Sequence, residues 1–122
     1  MIIDPALAPA IGPYSHAARM GNLLFVSGQV PLNSAGDIVG ATMAEQTGQA
    51  LRNLGSILAH CGLGLENVGK VVVYVADISA FAEMNAVYAK HFADHKPARS
   101  CVEVSRLVKG MLVEIEVIAE YP

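Results

Sequence analysis

The hydrophobic and polar positions along the chain follow a two-residue period, or form a short apolar run, in several separate stretches. These stretches predict strands at residues 14–19, 23–27, 68–76, 99–106 and 112–120. The run at 68–76 is almost entirely apolar and rich in β-branched residues, which is typical of a central strand buried on both faces. The last two stretches alternate strictly, as a strand with two different faces does.

Two other stretches have the three-to-four-residue period of amphipathic helices. The first begins at Thr42 and Glu45, which have the spacing of a capping box, and ends at Gly62. Its apolar stripe consists of Ala44, Leu51, Leu54, Leu58 and Cys61. The second helix begins after Asp77 or Ser79 and stops before Pro97. Its inner face would carry Phe81, Met84, Tyr88 and Phe92.

The order of the elements predicts an α+β fold. Strands, helix, strand, helix and strands arrange most simply as a two-layer sandwich, with both helices on one face of a mixed β-sheet. We expect one domain over residues 1–122, because 122 residues are enough for one core. The alternation would turn Val113, Ile115 and Val117 towards the helices. We expect the opposite face to carry Arg99 or Cys101 together with Glu114 and Glu116, as a subunit interface with a polar pocket would.

Composition and charge argue against several classes of function. The net charge is −3 and no run of Lys or Arg is present, which argues against a nucleic-acid partner. No apolar run is long enough to cross a membrane, and Met1–Pro5 do not begin a signal peptide. Cys61 and Cys101 have neither CxxC nor metal-ligand spacing, which indicates reduced thiols in the cytoplasm, with a disulfide between the two as the alternative. The apolar fraction of 53% is high, so we expect part of the apolar surface to be buried between subunits.

Several short motifs, in order from residue 11 to the end of the chain, resemble those of the RidA/YjgF family. Each is weak by itself, and together they are specific. They are Ile11-Gly12-Pro13-Tyr14-Ser15, Ser27-Gly28-Gln29, Asn85 with Tyr88, Pro97-Ala98-Arg99-Ser100-Cys101-Val102-Glu103-Val104 and Val113-Glu114-Ile115-Glu116. Members of that family are 2-iminobutanoate/2-iminopropanoate deaminases, which convert reactive imines to 2-oxo acids and ammonia and so protect metabolic enzymes.

The resemblance implies a chorismate-mutase-like fold and a homotrimer with one cleft at each joint between subunits. It implies no cofactor and no metal, and it implies a small imino acid as the partner. The catalytic positions that it implies are Arg99, Glu114 and Cys101. The substrate-binding positions are Tyr14, Ser27, Gly28, Asn85 and Arg99, with Gly28 acting through its backbone. In the family the arginine holds the substrate carboxylate, and the glutamate helps to place the attacking water.

The chemistry of these residue types agrees with those roles, although each has a simpler alternative. A guanidinium binds a carboxylate through two parallel hydrogen bonds, so Arg99 suits a 2-imino acid, and a surface salt bridge is the alternative. Glu114 can accept a proton from water. It could instead be an exposed strand carboxylate, and Glu116 on the same face competes for the role. Cys101 lacks a histidine placed by motif to activate it, so we expect it to line the cleft and not to act as a nucleophile.

Other features leave the substrate and the role open. The link 93–96 is short, Lys96 stands where an aromatic residue is common, and the segment after Leu107 lacks a proline. The short link also resembles that of proteins that process aminoacrylate.

Asn85 could equally satisfy buried backbone groups. His91 and His95 are four residues apart and could share a helix face, but no third metal ligand is evident. The rival functions are a non-catalytic binding protein for small carboxylates, an RNA-cleaving protein and a chaperone.

Overall fold

A computed structural model describes residues 7–122. The expectation that no signal peptide is present rested on residues 1–5, which lie outside the described residues. Five strands and two α-helices follow one another along the chain. They are β1 (Ala17–Met20), β2 (Leu23–Gln29), α1 (Met43–His60), β3 (Val68–Val75), α2 (Phe81–Phe92), β4 (Ala98–Glu103) and β5 (Val113–Glu120). Three short 3₁₀ turns lie between them, at Leu65–Asn67, Ile78–Ala80 and Val108–Gly110.

The five strands form one mixed sheet in the order β1-β2-β5-β3-β4. Strands β3 and β4 are parallel and are connected through α2, whereas the other three pairs are antiparallel. Strand β5 therefore lies in the centre of the sheet, between β2 and β3, although it is the last element of the chain. The predicted α+β class with a mixed sheet and two helices is confirmed.

Helix α1 begins and ends where its sequence signals predict. The Thr42 hydroxyl accepts a hydrogen bond from the Glu45 backbone N–H and donates one to the Glu45 carboxylate. Gly62, with a φ of +78°, follows the last turn in the left-handed conformation that glycine adopts without strain. Helix α2 begins differently from the prediction, because Asp77 caps the 3₁₀ turn Ile78–Ala80 and Ala80 is the residue that precedes the helix.

The core lies between the two helices and one face of the sheet, which is called the inner face below. The alternation of β5 places four residues there, all almost fully buried: Val113, Ile115, Val117 and Ala119. They pack in one cluster with residues of α1 and α2 such as Leu54, Ile57 and Met84. The opposite face, called the outer face, carries Glu114 and Glu116 as predicted, and both are half-buried.

The predicted position of Arg99 and Cys101 on the outer face is wrong. In the parallel pairing of β3 with β4, Arg99 lies beside Val71 and Cys101 beside Val73, and both valines are fully buried on the inner face. Residues paired in this way point to the same side of a sheet. Arg99 and Cys101 therefore point towards α2, away from Glu114. Alternation shows which residues share a face, but it does not show which face is turned inward.

Smaller differences concern the ends of the strands. Strand β1 starts at Ala17 and not at Tyr14, and β4 stops at Glu103, three residues before the predicted end. Within residues 7–122, no helix combines the length and apolar character needed to cross a membrane.

Candidate functional site

Arg99 lies in a cradle built by one face of α2. Its Nη1 donates a 2.7 Å hydrogen bond to Oδ1 of Asn85. Its guanidinium lies 4.7 Å from the centre of the Tyr88 ring and 5.5 Å from that of the Phe81 ring. Residues 81, 85 and 88 are four and three positions apart, so they form one stripe along the helix. This stripe positions the guanidinium through the hydrogen bond to the side-chain amide of Asn85 and through cation–π contacts with the two rings.

The cradle leaves most of the binding capacity of Arg99 for another group. A guanidinium has five N–H donors, and the hydrogen bond to Oδ1 of Asn85 uses one of them. Because β4 is an edge strand, this end of the side chain lies at the margin of the sheet. Arg99 can therefore receive a carboxylate through two parallel hydrogen bonds.

Cys101 lies two residues beyond Arg99 on the same face of β4 and packs against the core. Burial raises the pKa of its thiol, although the nearby Arg99 charge acts in the opposite direction. The thiol is therefore protonated at neutral pH, and a protonated thiol is a weak nucleophile. Asn85, Arg99 and Cys101 are called the arginine cluster below.

A cavity of about 410 Å³ lies beside the other predicted site residues. Its lining includes Tyr14, Ser27, Gly28 and Glu114, which are called the glutamate cluster below, and the apolar side chains of Ile11, Val30 and Val108. The Ser27 hydroxyl donates a 2.6 Å hydrogen bond to the carbonyl oxygen of Ser15. The Tyr14 hydroxyl accepts a hydrogen bond from the backbone N–H of Ile11. The first contact joins the segment before β1 to β2, and the second lies within that segment.

The Glu114 carboxylate lies directly over Gly28. A Cβ atom at position 28 would be 2.7 Å from Cδ of Glu114, closer than carbon atoms approach without a clash. Glycine at this position therefore makes room for the carboxylate. Burial, and to a smaller extent the Glu116 charge, raise the pKa of Glu114 above its ordinary value. A carboxylate with a raised pKa is a better proton acceptor than an exposed one.

Within one chain, the structure brings the predicted site residues together as two separate groups. The arginine cluster lies on the inner face at the β4 edge, and Glu114 of the glutamate cluster points from the outer face. Strand β3 separates β4 from β5. A single chain therefore presents these residues on opposite sides of its sheet, whereas the family resemblance implied a cleft at the joint between two subunits.

Comparison with known proteins identifies the family. The family model described as Endoribonuclease L-PSP matches residues 5–121. A RutC family protein of Pyrococcus horikoshii is 51% identical over 110 residues, which cover 89% of this chain and 87% of the relative. The chain belongs to the RidA/YjgF/RutC family. The resemblance seen in the sequence motifs is thereby confirmed.

Solved structures of RidA/YjgF/RutC proteins have the same fold. The YjgF gene product of Escherichia coli superposes with a TM-score of 0.92 at 39% identity, over 99% of this chain and 98% of that one. Escherichia coli TdcF, solved with bound serine, superposes with a TM-score of 0.93 at 36% identity, over 100% of this chain and 98% of that one. A yeast relative, the mitochondrial protein MMF1, is 45% identical over 91% of this chain and 77% of its own length.

Some residues near the site were not anticipated as such. The rings of Phe81 and Tyr88 were assigned to the core, yet Phe81 is 37% exposed and lies beside Arg99. Their spacing around Asn85 is the signal that would have revealed the cradle. The Tyr74 hydroxyl donates a hydrogen bond to Glu116 on the outer face. That contact depends on the register between β3 and β5, which the sequence does not specify.

The two histidines proposed as an alternative metal pair do not share a helix face. Helix α2 ends at Phe92, so His91 lies in its last turn and His95 lies beyond it. Their ring nitrogens contact backbone carbonyl oxygens, His91 Nδ1 that of Val87 and His95 Nε2 that of Val68. The alternative of a shared helix face is therefore not realised. Within residues 7–122, no group of three or more His, Cys, Asp and Glu residues is arranged to bind a metal.

Proposed function

We propose that the protein is a cofactor-independent deaminase that hydrolyses 2-imino acids, such as 2-iminobutanoate and 2-iminopropanoate, to 2-oxo acids and ammonia. The observation that carries the proposal is the division of the site into two complementary halves. The arginine cluster has an anchor for a carboxylate, and the glutamate cluster has a proton acceptor beside a cavity. A 2-imino acid needs both, because its carboxylate is bonded to the carbon that water attacks.

The two halves would meet between subunits. They cannot meet within one chain, because β3 hydrogen-bonds to both β4 and β5 in a continuous sheet. A second copy can place its arginine cluster against the glutamate cluster of the first. A closed ring of such head-to-tail contacts gives identical sites, and a ring of three gives the trimer that the family resemblance implies.

The outer face of the sheet has the composition that such an assembly requires. Apolar side chains stay exposed there next to the two glutamates, with Leu23 at 40%, Phe25 at 38% and Val102 at 44%. Exposed apolar side chains on one sheet face are typical of a protein interface. The contact between copies would cover them and would exclude bulk water from the cavity beside Glu114.

The proposed reaction uses both halves of the site. Arg99 of one subunit binds the substrate carboxylate through two hydrogen bonds and so fixes the C=N carbon beside Glu114 of the partner subunit. Glu114 accepts a proton from a water molecule as the water oxygen bonds to that carbon. Glu114 returns that proton to the nitrogen, which gives a tetrahedral intermediate with one hydroxyl and one amino group. Glu114 then transfers the hydroxyl proton to the nitrogen as the C–N bond breaks, so that ammonia and a 2-oxo acid leave. Orientation and electrostatics carry the catalysis, with no covalent enzyme intermediate.

The first experiment follows imine decay directly. An amino-acid oxidase generates 2-iminobutanoate or 2-iminopropanoate in place, and the decay is measured with wild type, with Arg99→Ala and with Arg52→Ala. Arg52 is an exposed arginine of α1 that hydrogen-bonds to Gln49 of the same helix and belongs to neither cluster, so its variant is the matched control. We expect wild type and Arg52→Ala to accelerate decay and Arg99→Ala to fail while sedimenting like wild type. Unimpaired turnover by Arg99→Ala would contradict the proposal.

A non-catalytic carboxylate-binding protein is the second candidate. The structure of TdcF with bound serine favours it, because that relative holds a small amino acid. The two candidates differ in one measurement. Saturable binding of a 2-oxo acid by calorimetry, together with no acceleration of imine decay by wild type, would support the binding protein. An aminoacrylate substrate is a variant of the first candidate, because 2-aminoacrylate is the enamine tautomer of 2-iminopropanoate.

RNA cleavage, which the description of the family model suggests, is less well supported by this chain. Its net charge is −3, with eight Lys and Arg residues against eleven Asp and Glu. Two of these carboxylates, Glu114 in the proposed site and Glu116 beside it, would repel phosphate. A chaperone would need the apolar outer face free, whereas the proposed assembly covers it. The free thiols of Cys61 and Cys101 are consistent with a reducing compartment, and we propose the cytoplasm.

A further inference from the structure

Tyr74 and Glu116 form a hydrogen-bonded pair on the outer face of the sheet that the proposed reaction does not use. The Tyr74 hydroxyl, from β3, donates to Oε1 of Glu116 on the neighbouring strand β5. Both residues are half-buried. This hydrogen bond fixes the position of the Glu116 carboxylate on this face.

The pair surrounds Glu114 on two sides. In the antiparallel register of β3 with β5, Tyr74 lies directly opposite Glu114. Directly opposite side chains on one face have Cβ atoms about 5 Å apart, so Tyr74 lies on the β3 side of Glu114 while its hydroxyl reaches Glu116. Glu116 is two residues further along β5 on the same face. The side left open is towards β2, where Gly28 has no side chain and where the Glu114 carboxylate in fact lies.

We propose that Tyr74 and Glu116 are positioning residues for Glu114, the ring directing the carboxylate into the cavity and the anchored charge of Glu116 keeping it a strong proton acceptor. This inference rests on the proposed function, because it assigns Glu114 the role of accepting a proton from water. Neither residue lines the cavity of the glutamate cluster, so both would act through Glu114.

The charges around Glu114 support this division of roles. From its own strand it faces Glu116, from β3 the neutral Tyr74, and from the segment before β1 the neutral Tyr14. In the proposed assembly it also faces Arg99 of the partner subunit, which favours the ionised form. Burial and the Glu116 charge both raise the pKa of Glu114. Glu116 thus offsets part of the effect of the arginine and keeps the carboxylate basic.

Four variants separate the charge, the hydroxyl and the ring. Glu116→Gln removes the charge at nearly constant shape, and Tyr74→Phe removes only the hydroxyl. Tyr74→Val removes the ring and keeps a good strand residue. Glu120→Gln is the control, because Glu120 lies on the same face of β5 but four residues beyond Glu116. The measurement is kcat/KM for imine hydrolysis against pH, with kcat at the plateau.

We expect Glu116→Gln to move the acidic limb of the profile to lower pH, because it removes a neighbouring negative charge that raises the pKa of Glu114. We expect Tyr74→Val to lower plateau kcat about tenfold, and Tyr74→Phe to lower it less. Glu120→Gln should leave the acidic limb in place. An unmoved limb in Glu116→Gln, or a shift of equal size in Glu120→Gln, would overturn the electrostatic role. An undiminished kcat in Tyr74→Val would overturn the role of the ring.

A second readout does not depend on turnover. The carboxyl carbon of Glu114, labelled with ¹³C and assigned with Glu114→Gln, is titrated by NMR in wild type and in Glu116→Gln. A lower titration midpoint in Glu116→Gln supports the inference even if the wild type hydrolyses no imine, in which case only the proposed function fails. An unchanged midpoint refutes the electrostatic role whatever the activity is.

Discussion

The Arg99 guanidinium and the Glu114 carboxylate lie on opposite faces of one sheet, although the strands that carry them both pair with β3. Arg99 points to the inner face beside Val71, and Glu114 points to the outer face beside Tyr74. No side-chain rotation joins two groups that a hydrogen-bonded sheet separates. A reaction that needs both residues therefore needs two copies of the chain.

Mixed assemblies test this relationship. Arg99→Ala and Glu114→Gln should each be inactive, because each lacks one half of every site. After the two variants are unfolded together and refolded, some joints will combine Arg99 of one subunit with Glu114 of the partner subunit. Random mixing in equal amounts restores about a quarter of the joints, and we expect about that share of wild-type activity. Imine decay by the mixture is the measurement.

The control for this experiment is each variant unfolded and refolded separately, then mixed without exchange of subunits. That sample should stay inactive. A mixture that remains inactive after verified exchange of subunits would show that both residues act within one chain, whereas full activity of each variant alone would show that the site uses neither. Size-exclusion chromatography with one tagged variant verifies that exchange took place.

Gly28→Ala should impair catalysis without unfolding the protein. The new Cβ would meet the Glu114 carboxyl carbon at 2.7 Å, so the carboxylate must move out of its place over β2. A displacement of about 1 Å can cost on the order of 100-fold in rate, and we expect kcat to fall at least tenfold. Gly69→Ala is the matched control, since Gly69 also lies in a strand and a Cβ there meets nothing within 4 Å. Equal activity of the two variants would argue against a role for Glu114 in this position.

Most of the fold could be predicted because it depends on local signals. The capping box at Thr42, the stop at Gly62 and the alternation of β5 each specify their element within a few residues. The ends of β1 and β4 could not be predicted, because strand ends depend on how far the neighbouring strand continues to pair. Strand β4, for instance, stops where its partner β3 ends at Val75.

The arrangement of the site could not be predicted for a different reason. The motifs named the residues, but the face to which Arg99 points depends on the register between β3 and β4, and those strands are separated by a whole helix. The same holds for the contact between Tyr74 and Glu116, which are 42 residues apart. A one-residue shift of register reverses every side chain of a strand, so sequence periodicity leaves the choice open.

Asn85→Asp should be more damaging than Asn85→Ala. The amide oxygen accepts a 2.7 Å hydrogen bond from Arg99 and so orients the guanidinium without neutralising it. Alanine removes the orientation, and we expect KM to rise about tenfold, the loss associated with one hydrogen bond to a charged group. Aspartate keeps the contact but pairs its own charge with the guanidinium, so a substrate carboxylate must compete with it. We expect a larger rise in KM, and weaker binding of a 2-oxo acid by calorimetry. The opposite order would show that the charge of Arg99 is not what binds the substrate.

Cys101→Ala should retain turnover within about threefold, because the proposed reaction forms no bond to sulfur. Burial raises the pKa of the thiol above its ordinary value of 9.0, so few molecules carry the thiolate at pH 7. Alkylation by iodoacetamide should accordingly be slow at neutral pH and should accelerate as the pH rises through that raised value. Mass spectrometry follows the modification. The experiment is done in Cys61→Ala, in which Cys101 is the one cysteine, so that alkylation of Cys61 does not contribute. Loss of activity in Cys101→Ala with an intact assembly would point to covalent catalysis.

Ala93→Gly should stabilise the fold. Ala93 follows the last turn of α2 with a φ of 52° and a ψ of −120°, a backbone conformation that glycine adopts readily and alanine does not. Relief of such strain contributes about 1–3 kcal/mol, and the greater freedom of glycine in the unfolded chain offsets part of it. We expect a net gain of about 1 kcal/mol, seen as a rise of a few degrees in Tm. The same change at the exposed Ala89, inside α2, is the control and should cost about 1 kcal/mol.

A loss of stability in both variants would mean that the conformation at Ala93 is not strained in solution. A gain at position 93 alone would show that the short link before β4, which delivers Arg99 to the inner face, is held under strain.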